Sequence, residues 1–347
     1  MLAGVALLAA GAPLQAAREL WQFDVLMEEF VAEHRVPAAA LAISREGRLA
    51  YSRGFGVADS AAFPAASLSK PITAAATLQL AERGKLDLHA GAWRLLGLPE
   101  PADPRWKHVT VLHLLQHTGG WDRGLGFDPM FHSPAGEDTQ AIILDMLRRP
   151  LDFAPGSRDA YSNFGYCLLG RIIERASGMA YGDYVRTEVL APLGIRRMQL
   201  DARRVLDAHS GWHASAPELV RFAAAFDDRD ACPILGADSV ERMFARPDGR
   251  AGRHADGRPL AVYYGCGWLV RPIGRLGQAH SWHDGALGGN TALLVRGYDR
   301  TNWAVLFDAR TDATGKLLST AIDAQLHKAA RLVSHWPGGD GFASALR

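Results

Sequence analysis

The sequence predicts an α+β fold: an antiparallel sheet built from both chain ends, flanked by helices, with a mostly helical part inserted between them. Three observations predict it. Strand-like apolar runs lie near the start and again beyond about residue 260. Helical periodicity dominates the middle. No βαβα alternation occurs, which argues against a doubly wound parallel sheet.

The elements follow in order. "FDVLMEEFVAEH" places apolar residues at helical spacing and predicts an amphipathic helix. "AALAISREGRLAYSRGFGVA" gives two apolar runs around Glu46-Gly47, a hairpin signal. A helix starts near Ser67. "VTVLHLLQHTG" is a short helix stopped by Gly119-Gly120, and "QAIILDMLRR" is a helix ending before Pro150. "FGYCLLGRIIERASG" stops at Gly178. "SAPELVRFAAAF" opens with a capping box, Ser215 followed three residues later by Glu218. "AVYYGCGWLV", "NTALLVRG" and "TNWAVLFDA" return to strands, and "GKLLSTAIDAQLHKAARLV" is a last long helix.

Composition narrows the function. The 347 residues are 48% hydrophobic, enough for a large core, and 38 basic against 37 acidic residues create no field for nucleic acid or an anionic membrane. The expected partner is a small molecule or a peptide. Residues 1–20 form an apolar leader. It resembles a signal h-region, with small residues near Ala10–Ala12 or Ala16 but no basic n-region. The expectation is an exported, periplasmic protein with no stable membrane span once the leader is removed. Three widely spaced cysteines, Cys167, Cys232 and Cys266, give neither a disulfide framework nor a CxxC pair.

The chemistry centres on "SLSK", Ser67 and Lys70. Residues three apart on a helical turn face the same way. A serine hydroxyl needs a base, and lysine serves only when neutral, which burial promotes. The plainer reading is a helix N-cap beside a solvated lysine. Yet only 5 of the 38 basic residues are lysines, and the flanks Ala65, Ala66, Leu68 and Ile72 are apolar. Pro71 fits only a first helical turn, so it holds the pair at the helix start. Further along, "YSN" supplies Tyr161 and Asn163 before a helix; the plainer reading is a cap and a packed ring. "HDG", His283 to Gly285, precedes a strand, where glycine allows close approach to the backbone.

"SLSK", "YSN" and "HDG", in this order, resemble the three motifs of the serine β-lactamase-related family, in its class C β-lactamase, DD-peptidase and esterase branch. "VTVLHLLQHTGG", "FAPGSRDAYSNFGYCLLGRIIERASGMAYGDYV", "SAPELVRF" and "YYGCGW" are similar to family segments as well, over about residues 25–330. The resemblance implies the β-lactamase/transpeptidase-like α+β fold in one domain. That domain covers residues 21–335, with a sheet part at 21–64 and 258–334 and a mostly helical part at 65–257, and a tail follows it at 336–347. It implies Ser67 as acylated nucleophile, Lys70 as its base and Tyr161 as proton shuttle. Asn163 would steady Lys70 and touch substrate beside His283 and Gly285, and the N–H groups of Ser67 and Ala286 would form the oxyanion hole. No cofactor or metal is implied.

One departure matters. β-Lactamases and many DD-peptidases carry a cationic triplet such as Lys-Thr-Gly where this chain has His283-Asp284-Gly285. A histidine with pKa about 6.5 is mostly neutral at pH 7, which ranks esters or amides above β-lactams. The expected function is therefore a serine hydrolase of small acyl substrates. The alternatives are a β-lactamase or D-Ala-D-Ala carboxypeptidase, and a non-catalytic homologue binding a cell-wall peptide or partner. His113 and His117 sit at i,i+4 spacing without HExxH, so a metallohydrolase is disfavoured. No GxSxG elbow is present. Trp121, Trp282 and Phe127 are candidates for lining an apolar pocket. Nothing in the sequence fixes the oligomeric state.

Overall fold

The computed structural model describes residues 20–134, 136, 138–274 and 278–346. The leader expectation falls on residues 1–19, outside the described residues. Helix α1 (Trp21–His34) is followed by β1 (Ala39–Arg45) and β2 (Arg48–Phe55). Glu46 and Gly47 both take positive φ, 50° and 79°. That is the backbone a tight two-residue hairpin requires. A short β3 (Phe63–Pro64) leads into helix α2 (Ser69–Glu82). The helical part includes α3 (Asn163–Ser177), the short strands β4 (Gln199–Leu200) and β5 (Trp212–Ala214), and α4 (Ala216–Ala224). The chain then returns to the sheet with β6 (Tyr263–Tyr264), β7 (Leu269–Ile273), β8 (Gln278–Leu287), β9 (Asn290–Arg296) and β10 (Thr301–Phe307). Helix α5 (Leu318–Arg331) follows.

The main sheet runs in the order β2-β1-β10-β9-β8-β7-β6, and its strand pairs are antiparallel. The expected sheet from both chain ends is therefore borne out. Period-two alternation divides its faces. Leu41, Ile43, Leu293, Val295, Trp303, Val305 and Phe307 face α1 and α5, where Phe23, Met27, Phe30, Ile322 and Leu326 meet them. Ala40, Ala42, Ala292, Leu294, Ala304 and Leu306 face the other way, towards Leu219, Val220, Phe222 and Ala223 of α4. Alanines on that face leave room for a helix to lie close. Each large apolar side chain buried this way contributes about 1.5–3 kcal/mol.

Two differences from the sequence reading have physical causes. β8 is a full strand, so "HDG" lies inside it rather than before a strand. Its polar and glycine-containing stretch carries little strand propensity, and pairing with both β7 and β9 imposes the conformation. The segment expected as a tail also docks. Asp340 Oδ1 accepts from Leu49 N at 3.1 Å, and Phe342 is buried. Among the described residues no helix is long and apolar enough to cross a membrane, and the three cysteines are unpaired, with Cys167 and Cys266 buried.

Candidate active site

Helix α2 carries the first motif into the centre of the molecule. Every residue from Ser69 to Leu80 is buried, as expected for a helix apolar on nearly all sides. A 3-10 turn, Ala66–Leu68, precedes it. Ala66 has φ +48°, a left-handed conformation that a non-glycine residue adopts only under constraint. This strained turn presents Ser67, half-buried, beside the core. Pro71 is the third residue of α2, where the missing N–H leaves no helical bond broken.

Lys70 is fully buried. Its Nζ donates to Asn163 Oδ1 at 2.8 Å and to the His209 carbonyl at 2.9 Å. It lies 3.1 Å from Ser67 Oγ. Burial first, then the charge of Arg123, hold this amine well below the ordinary lysine range, against the opposing pull of Asp128 and Asp284. A neutral amine has two N–H donors and one lone pair. Two carbonyl oxygens take the donors, so the lone pair is left for the Ser67 hydroxyl proton.

The second motif divides its labour. Ser162 caps α3, its Oγ accepting from Gly165 N at 3.2 Å. That frees its neighbours for the site. Asn163 passes the contact outward, Nδ2 donating to Asp128 Oδ2 at 2.6 Å. Tyr161 lies against Lys70, whose Nζ is 4.7 Å from the ring centroid, and against Arg123, at 4.2 Å. Burial raises its phenol well above the usual value, opposed by the Ser67 hydroxyl and by Arg123. Tyr161 is thus a protonated phenol at neutral pH.

The third motif is the wall opposite. A side chain at Gly285 would meet the Ala65 carbonyl at 2.7 Å and Ser67 N at 3.1 Å, so only glycine lets β8 lie against the nucleophile turn. Ala286, the next residue, lines a cleft of about 670 Å3 with Arg123, Asp128, Phe131 and Arg310. His283 is buried and hydrogen-bonds Tyr264 through Nε2 at 2.9 Å. Its Nδ1 meets the Asp284 carbonyl at 2.6 Å. Burial pulls its pKa down to about 4, against the raising effect of Asp284. This histidine is neutral at pH 7 and both ring nitrogens are engaged.

All seven residues picked out in the sequence therefore lie at or beside one site. Four contributors were not picked out. Tyr264 belongs to the quoted "YYGCGW", but its role depends on a contact with β8. Arg123 comes from a 3-10 turn without periodicity. Asp128 precedes Pro129, an N-cap signal that was available. His209 acts through its carbonyl, which no side-chain pattern reveals.

Other candidates fall elsewhere. Trp121 packs in the core against Trp106 and Phe164, with centroids 4.8 and 5.0 Å away. Trp282 joins the cluster beneath α1 and α5, and Phe127 stacks under Arg149 at 4.5 Å. The three do not share a pocket. His113 closes a capping box with Thr110. His117 packs on Tyr161, its centroid 4.3 Å away, and its Nδ1 accepts from Ser162 N at 3.2 Å. Among the described residues no group of His, Cys, Asp or Glu is arranged to hold a metal ion.

The model of the Beta-lactamase family matches residues 23–327. The chain belongs to the beta-lactamase family. Esterase EstB of Burkholderia gladioli is 34% identical over 267 residues, covering 71% of this chain and 64% of its own length. Penicillin-binding protein 4* of Bacillus subtilis is 27% identical over 84% of this chain and 72% of its own length. This chain thus matches just under two thirds of the esterase. A crystal structure of SurE with D-Leu superposes with a TM-score of 0.71 at 30% identity, covering 92% of this chain and 77% of that one.

Proposed function

We propose that the protein forms an acyl-enzyme on Ser67 and hydrolyses esters, or amides and peptides, of small acyl groups. The carrying observation is Lys70: buried, fixed by two carbonyl oxygens, and 3.1 Å from Ser67 Oγ. The Lys70 lone pair takes the Ser67 proton as Oγ attacks the substrate carbonyl. The N–H groups of Ser67 and Ala286 receive the oxyanion, with β8 held against the nucleophile turn at Gly285. Tyr161 gives its proton to the leaving group and regains one from Lys70. A water then attacks the acyl-enzyme by the same route in reverse and releases the acid.

Esters rank first because His283 is neutral and engaged, so the third motif lacks the cation that suits a β-lactam carboxylate, and because Esterase EstB is 34% identical. The second reading, a D-Ala-D-Ala carboxypeptidase or β-lactamase, draws on the likeness to Penicillin-binding protein 4*. A non-catalytic binding role is disfavoured by the complete Ser67, Lys70, Tyr161 and Asn163 set.

The test is a panel of p-nitrophenyl esters, D-amino-acid amides, a D-Ala-D-Ala peptide and nitrocefin. The expected order is esters first and nitrocefin last. Ser67→Ala should lose fluorophosphonate labelling and at least about 10^3-fold in ester kcat/KM. A Ser67→Ala protein as active as the parent overturns the assignment, and rapid nitrocefin turnover overturns the ranking of esters above β-lactams.

A further inference from the structure

Arg123 is an exposed arginine on a 3-10 turn, Arg123–Leu125, whose guanidinium lies 4.2 Å from the Tyr161 ring centroid. A guanidinium on an aromatic face keeps its planar fork of N–H donors open at the edge. The acids nearest in sequence are occupied elsewhere. Asp122 caps the turn through Gly124 N and pairs with Arg158 at 2.9 Å. Asp128 accepts from Asn163 Nδ2 and Met130 N. Among the described residues no carboxylate pairs with Arg123. Arg123 also lines the cleft that Ala286 borders, and a second exposed guanidinium, Arg310, lines it too. Asp128 and Asp284 are the opposing charges near the reacting groups, raising Lys70 and Tyr161 where Arg123 lowers them.

The third motif supplies no cation, since His283 is buried and bonded on both nitrogens. We propose that Arg123, seated on the Tyr161 ring, is a specificity-determining residue that takes a carboxylate carried by the substrate, in the cleft it lines with Ala286 and Arg310. This rests on the acyl-enzyme reading and adds to it a substrate class: esters or amides bearing an anionic group near the scissile bond. The carboxylate has two possible sources, the acyl part or the leaving part. A planar two-pronged contact suits it better than a point charge would.

The experiment compares matched pairs. On the acyl side, mono-p-nitrophenyl glutarate is set against its methyl ester. On the leaving side, 4-acetoxybenzoate is set against its methyl ester. In the parent at low ionic strength, one pair should favour the carboxylate at least about fivefold in kcat/KM, mostly through KM, and the advantage should shrink in 0.5 M salt. Arg123→Gln should bring that ratio to about one, and Arg123→Lys should leave it intermediate. Ratios at or below one for both pairs in the parent, or a ratio unchanged in folded Arg123→Gln, overturn the proposal. Should Arg123→Gln fail to fold, the parent's salt dependence and Arg123→Lys decide it: a ratio that neither changes overturns it. If the neutral esters are still cleaved and need Ser67, only this proposal falls. If Ser67→Ala cleaves them equally well, the acyl-enzyme reading falls instead.

Discussion

The helical wall of the site and its sheet wall work differently. On the helical wall, Ser67, Lys70, Asn163 and Asp128 form one run of contacts, each 3.1 Å or shorter, running from the half-buried Ser67 into the interior. The sheet wall contributes β8, with His283 turned into Tyr264 and Gly285 pressed on the nucleophile turn. The first wall manages protons. The second supplies shape and backbone, with its histidine ring held neutral. Proton chemistry needs a tuned amine, and tuning needs burial. An oxyanion site needs only fixed N–H groups, which a strand provides without any side chain.

The largest effect should come from breaking the helical wall. Lys70→Met removes the base while keeping the apolar stem, and ester kcat/KM should fall by about 10^3-fold or more. In the parent, the working form of Lys70 is the neutral amine. Activity should therefore rise with pH through the lowered Lys70 pKa and fall away below it. A pH profile of kcat/KM checks this. A residual Lys70→Met activity with the parent's acid limb would remove Lys70 from the base role.

The contrast also explains what was legible in the sequence. The helical wall was readable because its parts are local. Ser67 and Lys70 share one turn, Ser162 caps α3 between two site residues, and Pro71 marks the helix start. The sheet wall was less readable. β8 hides behind His283, Asp284 and Gly285, none of them strong strand formers, and becomes a strand through two neighbours. Tyr264 meets His283 across 19 residues of sequence, and on the helical wall too the His209 carbonyl, which was not picked out, meets Lys70 across 139. Such contacts exist only after folding, and a carbonyl has no residue type to announce it. Arg123 is similar: its value lies in the Tyr161 face it covers, not in any spacing.

An intermediate effect should follow from pushing the sheet wall outward. Gly285→Ala sets a methyl 2.7 Å from the Ala65 carbonyl, a backbone atom that cannot swing aside. The strand or the Ser67 turn must shift, at a cost of about 1–3 kcal/mol in stability. Ester kcat should drop by about 10- to 100-fold, because small displacements of reacting groups are expensive. Gly289→Ala, two residues beyond the strand, meets nothing within 4 Å and is the control. Thermal unfolding and kcat measured together check the pair; equal kinetics in both variants would mean that β8 does not position the nucleophile turn.

The smallest kinetic effect should come from His283. A neutral ring bonded to Tyr264 is a spacer, so His283→Gln should change neutral-ester kcat/KM by less than about tenfold and leave the acid limb of the profile in place. Its effect on stability has a definite sign. Burial lowers the folded-state pKa to about 4, below the ordinary 6.5 of an unfolded chain. Between these values the unfolded state binds more protons, so the stability associated with a neutral His283 is complete above pH 6.5 and is lost as pH falls towards 4. Glutamine does not titrate and escapes that loss. Urea unfolding at pH 8 and pH 5 should show a smaller drop for His283→Gln than for the parent. An equal drop would mean that the buried ring is already protonated at pH 5 without cost, and the sheet wall would then carry a charge after all.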